Sequence, residues 1–243
     1  MDFSALLFPT GSWDDLVARA RQAEELGLRG LWVDDHLVNP ARPAQRWLDA
    51  WTTLAGLAGH TDRIRLGTLV SNVILRHPVL LARQALSVEA ISGGRLLLGV
   101  GAGYAPTDHG AVGVPVWAPA ERSARFREAV ELLDLLLRGE PVTRNGTYYS
   151  AADLHLRPEP VQRPRPPLCV AAHAASSLRL VAEHGDVWSS FGGFGLGSAE
   201  LVALTRRRAA ILDRHCAELG RDPATVRRLV LAGSPATTPD PVW

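Results

Sequence analysis

Residues 92–104 read SGGRLLLGVGAGY, an apolar run that ends in three glycines, Gly99, Gly101 and Gly103, each two residues from the next. A glycine-rich end of this kind is either a phosphate-cradling loop or the end of a buried strand. The dinucleotide fingerprint G-x-G-x-x-G fails at both starts: counted from Gly99 its last position is Tyr104, and from Gly101 it is Pro106. A strand alternates its side chains, so positions 99, 101 and 103 share one face. Such a strand end, bare on one face, leaves room for something flat to approach the backbone.

Outward from this stretch the chain alternates strand and helix. Upstream lies a helix, HPVLLARQALSVEAISGG (77–94), opened by Pro78 and closed by Gly93-Gly94. Before it come a strand RIRLGTLVSN (63–72), a helix LDAWTTLAGLAGHT (48–61) that Asp49 can cap, and a strand GLWVDDH (30–36). The first pair is a strand over Phe3–Phe8 and a helix over 13–27, with Ser12 as cap, Asp14 and Asp15 in its first turn and Gly27 at its end. Downstream, a loop with several Pro and Gly residues is predicted from Tyr104 to Pro119. A long amphipathic helix follows over 120–140, with Phe126, Val130, Leu133 and Leu137 at helical spacing. Residues 141–167 break the rhythm with a turn, an extended piece and proline-rich coil. The alternation then resumes with strands over 168–173, 186–192 and 226–233 and helices over 176–185 and 199–220.

Near-continuous apolar strands alternating with helices belong to parallel sheets. Seven such units favour an α/β TIM (β/α)8 barrel over a doubly wound sheet. The eighth strand is not found: the sequence closes on a polar, proline-rich SPATTPDPVW, 234–243. The expectation is one barrel domain over 1–243, with an insertion at about 141–167 and a truncated C-terminus, its last strand and helices missing.

The totals narrow the function. The chain has 243 residues, 47% hydrophobic, enough for a core. A formal charge of +1 gives no reason to expect nucleic acid or an anionic membrane as partner. All 26 basic residues are arginine, which excludes a Schiff-base or Walker-type lysine. Cys169 and Cys216 form no disulfide framework and no zinc spacing, which fits a reducing cytoplasm. No signal peptide or run of membrane-spanning length is read. The eight histidines show no metal-binding spacing, so no metal is expected.

In a barrel the chemistry gathers where the strands end at their C-terminal side. Those ends are Asp34-Asp35-His36, Val70-Ser71-Asn72-Val73, Gly101-Ala102-Gly103-Tyr104, His173-Ala174-Ala175-Ser176-Ser177 and Trp188-Ser189-Ser190. His36 is the acid/base candidate, because a histidine titrates near neutrality; a loop histidine paired with Asp35 is the plainer reading. The residues after His173 suit a phosphate at a helix start, or form an ordinary serine cap. Gly192, Gly193, Gly195 and Gly197 mark a lid or a flexible linker. Arg206-Arg207-Arg208 reads as a solvated helix face.

At these residues the sequence resembles the bacterial-luciferase-like monooxygenase superfamily, and within it the branch that uses the deazaflavin coenzyme F420. The matching pieces are GLWVDDHL (30–37), the long block from Trp51 to Tyr104, GEPVTRNGTYY (139–149) and PEPVQRPRPPLCV (158–170). The resemblance implies a TIM barrel holding a deazaflavin at its mouth, with FMN as the alternative. It implies that Asp35 and His36 sit beside the ring as the catalytic pair. A bulge with a non-proline cis peptide, within Ser71-Asn72-Val73, would press on the ring. Gly101, Gly103 and Tyr104 would lie along it, and His173, Ala174, Ala175 and Ser176 would hold its phosphate. Related deazaflavin dehydrogenases often carry a proton-donating Glu where this chain has Tyr104, so sugar-phosphate dehydrogenation is not implied. The partners implied are a small-molecule substrate and, in many relatives, a second copy in a homodimer. Three readings stay open: F420-dependent hydride transfer, an FMN-dependent monooxygenase, and a non-catalytic truncated barrel.

Overall fold

The computed structural model describes residues 1–193 and 195–232. They fall into two compact units, Met1–Pro167 and a second that begins at Leu168.

The first unit is built on parallel strands β1 (Ser4–Leu7), β2 (Gly30–Val33), β3 (Arg65–Thr68) and, after a two-residue β4 (Ser71–Asn72), β5 (Leu96–Gly101). The order is β1-β2-β3-β5, with β4 also paired to β5. Leu7 sits beside Val33 and Val33 beside Thr68, so the strands end level with one another. Every residue of β2 and β5 is buried, as strands covered on both faces must be. The crossovers are α1 (Trp13–Glu25), α2 (Ala50–Ala58) and α3 (Pro78–Ile91).

Each of these three helices starts where its capping chemistry dictates. The Ser12 hydroxyl accepts from the Asp15 amide at 3.1 Å, and the Asp15 carboxylate accepts from the Ser12 amide at 3.2 Å. This reciprocal box satisfies two amides that the helix itself cannot. Asp49 accepts from the Thr52 amide at 2.8 Å to start α2, and Pro78 opens α3. Leu16 of α1, Leu54 and Leu57 of α2 and Leu81 of α3 are fully buried. Each contributes roughly 1.5–3 kcal/mol through the apolar area it removes from water.

The strand expected over 63–72 is broken: β3 ends at Thr68, a cis peptide joins Leu69 to Val70, and β4 resumes at Ser71. The cis bond thus lies just ahead of the Ser71–Val73 segment in which it was expected. The glycines of 92–104 explain much of the local shape. A Cβ at Gly99 would lie 1.8 Å from the Thr68 carbonyl oxygen, so only glycine lets β3 approach there. Gly103 lies past the end of β5 with φ +72°, and a Cβ on it would run into Ile74 at 2.4 Å. The shared-face pattern therefore ends at Gly101, and two of the three glycines serve the chain's own packing.

The loop predicted over 104–119 contains a helix, α4 (Pro106–Ala111), followed by α5 (Pro119–Leu136). Proline at the first position and Asp108 in the first turn are ordinary starts for so short a helix. In 141–167 the extended piece is an antiparallel hairpin of β6 (Val142–Arg144) and β7 (Ala151–Leu154). Its turn is held by Glu128 of α5, whose carboxylate accepts from the amides of Tyr148 at 2.9 Å and Tyr149 at 2.6 Å. The proline-rich coil carries cis bonds before Pro158 and Pro164. It is fastened by the buried Glu89, which accepts from the Gln162 amide at 2.8 Å.

The second unit has three parallel strands, β8 (Leu168–Ala171), β9 (Val187–Phe191) and β10 (Arg227–Leu231), in that order, with α6 (Ala175–His184) and α7 (Ser198–Glu218) between them. Trp188 is fully buried and its indole donates to the Ala172 carbonyl at 2.9 Å. Both cysteines are free and buried, and burial pushes the Cys169 thiol up to about 12. Arg206 and Arg207 are exposed, but Arg208 turns inward and donates to the Phe191 carbonyl at 2.8 Å. The seventh expected strand is β10; the end of its predicted span, Gly233, and the 234–243 tail lie outside the described residues.

Candidate active site

Strand β2 ends at Val33, and the chain continues with Asp34, Asp35 and His36. Two-residue alternation carried one step further puts Asp34 and His36 on one side and Asp35 on the other. The contacts follow that division. His36 Nε2 is 3.7 Å from Asp34 Oδ1, while the Asp35 carboxylate accepts from Arg76 at 2.8 and 2.9 Å and from the Ser71 hydroxyl at 2.7 Å. Arg76 also bridges to Asp49, the cap of α2, and the Trp51 indole donates to Ser71 at 2.9 Å. Asp35 is therefore not the partner of the His36 ring. It is a buried anchor, 2% exposed, tying the end of β2 to the start of α2 and the segment before α3.

The partner of His36 is Asp108, on α4. Its Oδ2 is 2.8 Å from His36 Nδ1 and 3.2 Å from the Asn72 side-chain amide, which donates to it. Asp108 is 1% exposed, and its Oδ1 has no hydrogen-bond partner. Asn72 Oδ1 accepts from the amides of Ile74 and Leu75, both at 3.1 Å, so the side chain that holds Asp108 is itself held. The Tyr104 ring stands edge-on to the imidazole, centroids 6.4 Å apart, and Tyr104 is exposed. The Trp47 indole donates to the His36 carbonyl at 2.9 Å and steadies the backbone.

These surroundings raise both Asp34 and His36. Burial lifts Asp34 to about 6, against the attraction of His36 and with help from the charge of Asp35. Burial alone would lower His36; the hydrogen bond to Asp108 and the charges of Asp34, Asp108 and Asp35 outweigh it and raise it. The site thus pairs an imidazole that favours its charged form with a carboxylate that titrates near neutrality.

The remaining predicted residues divide by exposure. Ser71, Asn72 and Val73 are 0, 4 and 4% exposed, so their side chains shape the site from beneath. The half-buried residues of that segment are Leu69 and Val70, at the cis bond. Gly101 is buried, Gly103 is half-buried, and Tyr104 is open. His173, Ala174, Ala175 and Ser176 belong to the second unit and are exposed at the start of α6. No side chain caps that helix; the Ser177 hydroxyl folds back onto the Ala174 carbonyl at 2.9 Å. His173 Nε2 accepts from the Phe191 amide at 3.2 Å, and burial together with nearby Arg208 lowers its pKa.

Asp108 went unread in the sequence because a six-residue helix carries too little periodicity to show. Its available signals were Pro106 and the acidic residue two positions on. Among the described residues no group of three His, Cys, Asp or Glu side chains could hold a metal ion, and no helix is long and apolar enough to cross a membrane.

The chain is similar to several known proteins. The family described as luciferase-like monooxygenase matches residues 1–241. An F420-dependent glucose-6-phosphate dehydrogenase of Beutenbergia cavernae is 37% identical over 84% of this chain and 61% of its own length. An F420-dependent hydroxymycolic acid dehydrogenase of Mycobacterium tuberculosis is 32% identical over 88% of this chain and 56% of its own. The crystal structure of the monooxygenase RslO1 from Streptomyces bottropensis superposes with a TM-score of 0.81 at 25% identity, covering 94% of this chain and 70% of that one. The chain spans about three fifths of the length of these two curated relatives.

Proposed function

The chain belongs to the luciferase-like monooxygenase family, and from that membership we propose an oxidoreductase that uses coenzyme F420 for hydride transfer to or from a small organic substrate. The observation that carries this reading is His36, held between two carboxylates at the C-terminal end of β2. An imidazole so placed is equipped to give or take the proton that must accompany a hydride.

The residues fit such a coenzyme. Past the end of β5 come Ala102 and Gly103, both half-buried, which leave backbone for a flat ring to lie against. The buried Oδ1 of Asp108 lacks a donor, as an oxygen facing a polar ligand edge would. In the second unit, the uncapped first turn of α6 suits a phosphate, whose charge the free amides and helix dipole favour. When bound, the deazaflavin supplies a carbon that carries hydride and reacts poorly with oxygen. The chain does the rest. In the first unit His36 holds or moves a proton, Asp108 orients the ring of His36, and Asp35 and Arg76 fix the strand end.

A second reading is an FMN-dependent monooxygenase; the likeness to RslO1 supports its reaction class and not its cofactor. Fluorescence titration of the chain with oxidised F420 and, separately, with FMN decides between them. Micromolar binding of F420 and not FMN supports the first reading. Binding of FMN alone supports the second. Binding of neither leaves the non-catalytic reading.

A further inference from the structure

We propose that Asp34 sets the protonation of His36: its carboxylate faces the Nε2 edge, makes the imidazole rest as a proton donor, and links that nitrogen to solvent. This deepens the reading above, but its test needs no coenzyme.

The argument is one of faces and exposure. The groups around the ring are few. From its own segment come Asp34, 3.7 Å from Nε2, and Asp35, whose carboxylate is taken up by Arg76 and Ser71. From α4 comes Asp108 at Nδ1, from β4 the neutral amide of Asn72, and from the segment before α4 the edge-on ring of Tyr104. The cation bound to this cluster, Arg76, makes its ion pairs with Asp35 and Asp49. The imidazole therefore faces carboxylates on both nitrogens, an arrangement that favours imidazolium.

The two carboxylates differ in access. The Asp108 side chain is 1% exposed and hydrogen-bonded to Nδ1, so it positions the ring. The Asp34 side chain is 18% exposed, which leaves it a path to water that Asp108 lacks. Burial lifting Asp34 to about 6 lets it hold a proton near neutrality. When Nε2–H is given to a substrate oxygen, the N–H bond breaks and its electron pair stays on nitrogen. The Asp34 carboxylate then takes a proton from water and passes it to Nε2, which restores N–H and leaves the carboxylate ionised as it began. At 3.7 Å the contact is ionic, so this transfer passes through one water or a small side-chain rotation.

The test is an NMR titration of the histidine imidazoles in the unliganded chain, with His36 assigned from the signal lost in His36→Gln. In the wild type, His36 shows two steps, because its titration is coupled to that of Asp34. Asp34→Asn leaves one step, moved to lower pH, and Asp34→Glu restores two. Asp34→Ser, a second neutral replacement, gives the same single step should Asp34→Asn fail to fold. A His36 curve that is the same in wild type and in either neutral variant overturns the proposal. Failure of F420 to bind would remove the functional reading without altering this titration.

Discussion

His36 Nδ1 lies 2.8 Å from Asp108 Oδ2 across 72 residues of sequence, in a contact where the carboxylate is almost wholly out of water. A charge-assisted bond of this kind fixes both the ring's orientation and the nitrogen that carries its proton. With Nδ1 engaged, Nε2 is the nitrogen that faces Asp34.

Replacing Asp108 by Asn removes the largest influence that raises His36. The His36 pKa falls, because a neutral acceptor no longer favours imidazolium. The raised folded value also ties this pair to stability. Its contribution is fully present below the unfolded histidine value of about 6.5 and is lost as pH rises through the folded value. Denaturant titrations of wild type and Asp108→Asn at pH 5.5 and pH 9 should therefore show the wider gap at the lower pH.

Asp34 gives a pH dependence of its own. Its folded value, about 6, lies above the ordinary 3.8, so the native state holds that proton more tightly than the unfolded chain. The ionised, buried carboxylate then costs stability above pH 6 and nothing below the ordinary value. Asp34→Asn should stabilise the chain by about 1–3 kcal/mol at pH 8 and leave it unchanged near pH 3.5. A denaturant series at the two pH values measures both.

Arg76 holds two carboxylates, one of them 2% exposed. Arg76→Ala leaves Asp35 buried without its counter-charge, and the expected loss is about 3–5 kcal/mol. Arg76→Lys recovers only part of it, since an ammonium cannot reproduce the forked contact. Equilibrium unfolding of the three proteins gives the ranking.

Two glycines of the first unit predict opposite outcomes for one substitution. Gly99→Ala would press a methyl onto the Thr68 carbonyl, a backbone atom that cannot swing aside. The cost is about 1–3 kcal/mol or more. Gly110, inside α4, has nothing within 4 Å of its Cβ position, so Gly110→Ala stabilises by roughly 0.5–1 kcal/mol. Melting temperatures of the pair compared with wild type check both signs.

In the second unit, Arg208 bonds the Phe191 carbonyl, whose amide donates to His173. If the start of α6 takes the coenzyme phosphate, Arg208→Gln should weaken F420 binding about tenfold, an effect that shrinks at high salt. The fluorescence titration repeated at two ionic strengths reads it.

The parallel β/α order was legible because long apolar strands and capped helices leave strong patterns, as at Leu96–Gly101 and at Ser12. What stayed hidden was local or distant. The break at Leu69–Val70 interrupts a run that reads as one strand. Helix α4 is too short to show a period, so Asp108 looked like part of a loop. Asp35 looked like the partner of His36 because the two are adjacent in sequence, yet adjacency along a strand means opposite faces. The same alternation, applied past Val33, would have singled out Asp34.

The crowding around Gly99 and Gly103 has a consequence for anyone wishing to reshape this site. At those two positions the room a side chain would need is already filled by the Thr68 carbonyl and the Ile74 side chain. A mutant library spent there would mostly return unfolded protein. Diversity is better placed at Tyr104, whose exposed ring stands edge-on to His36.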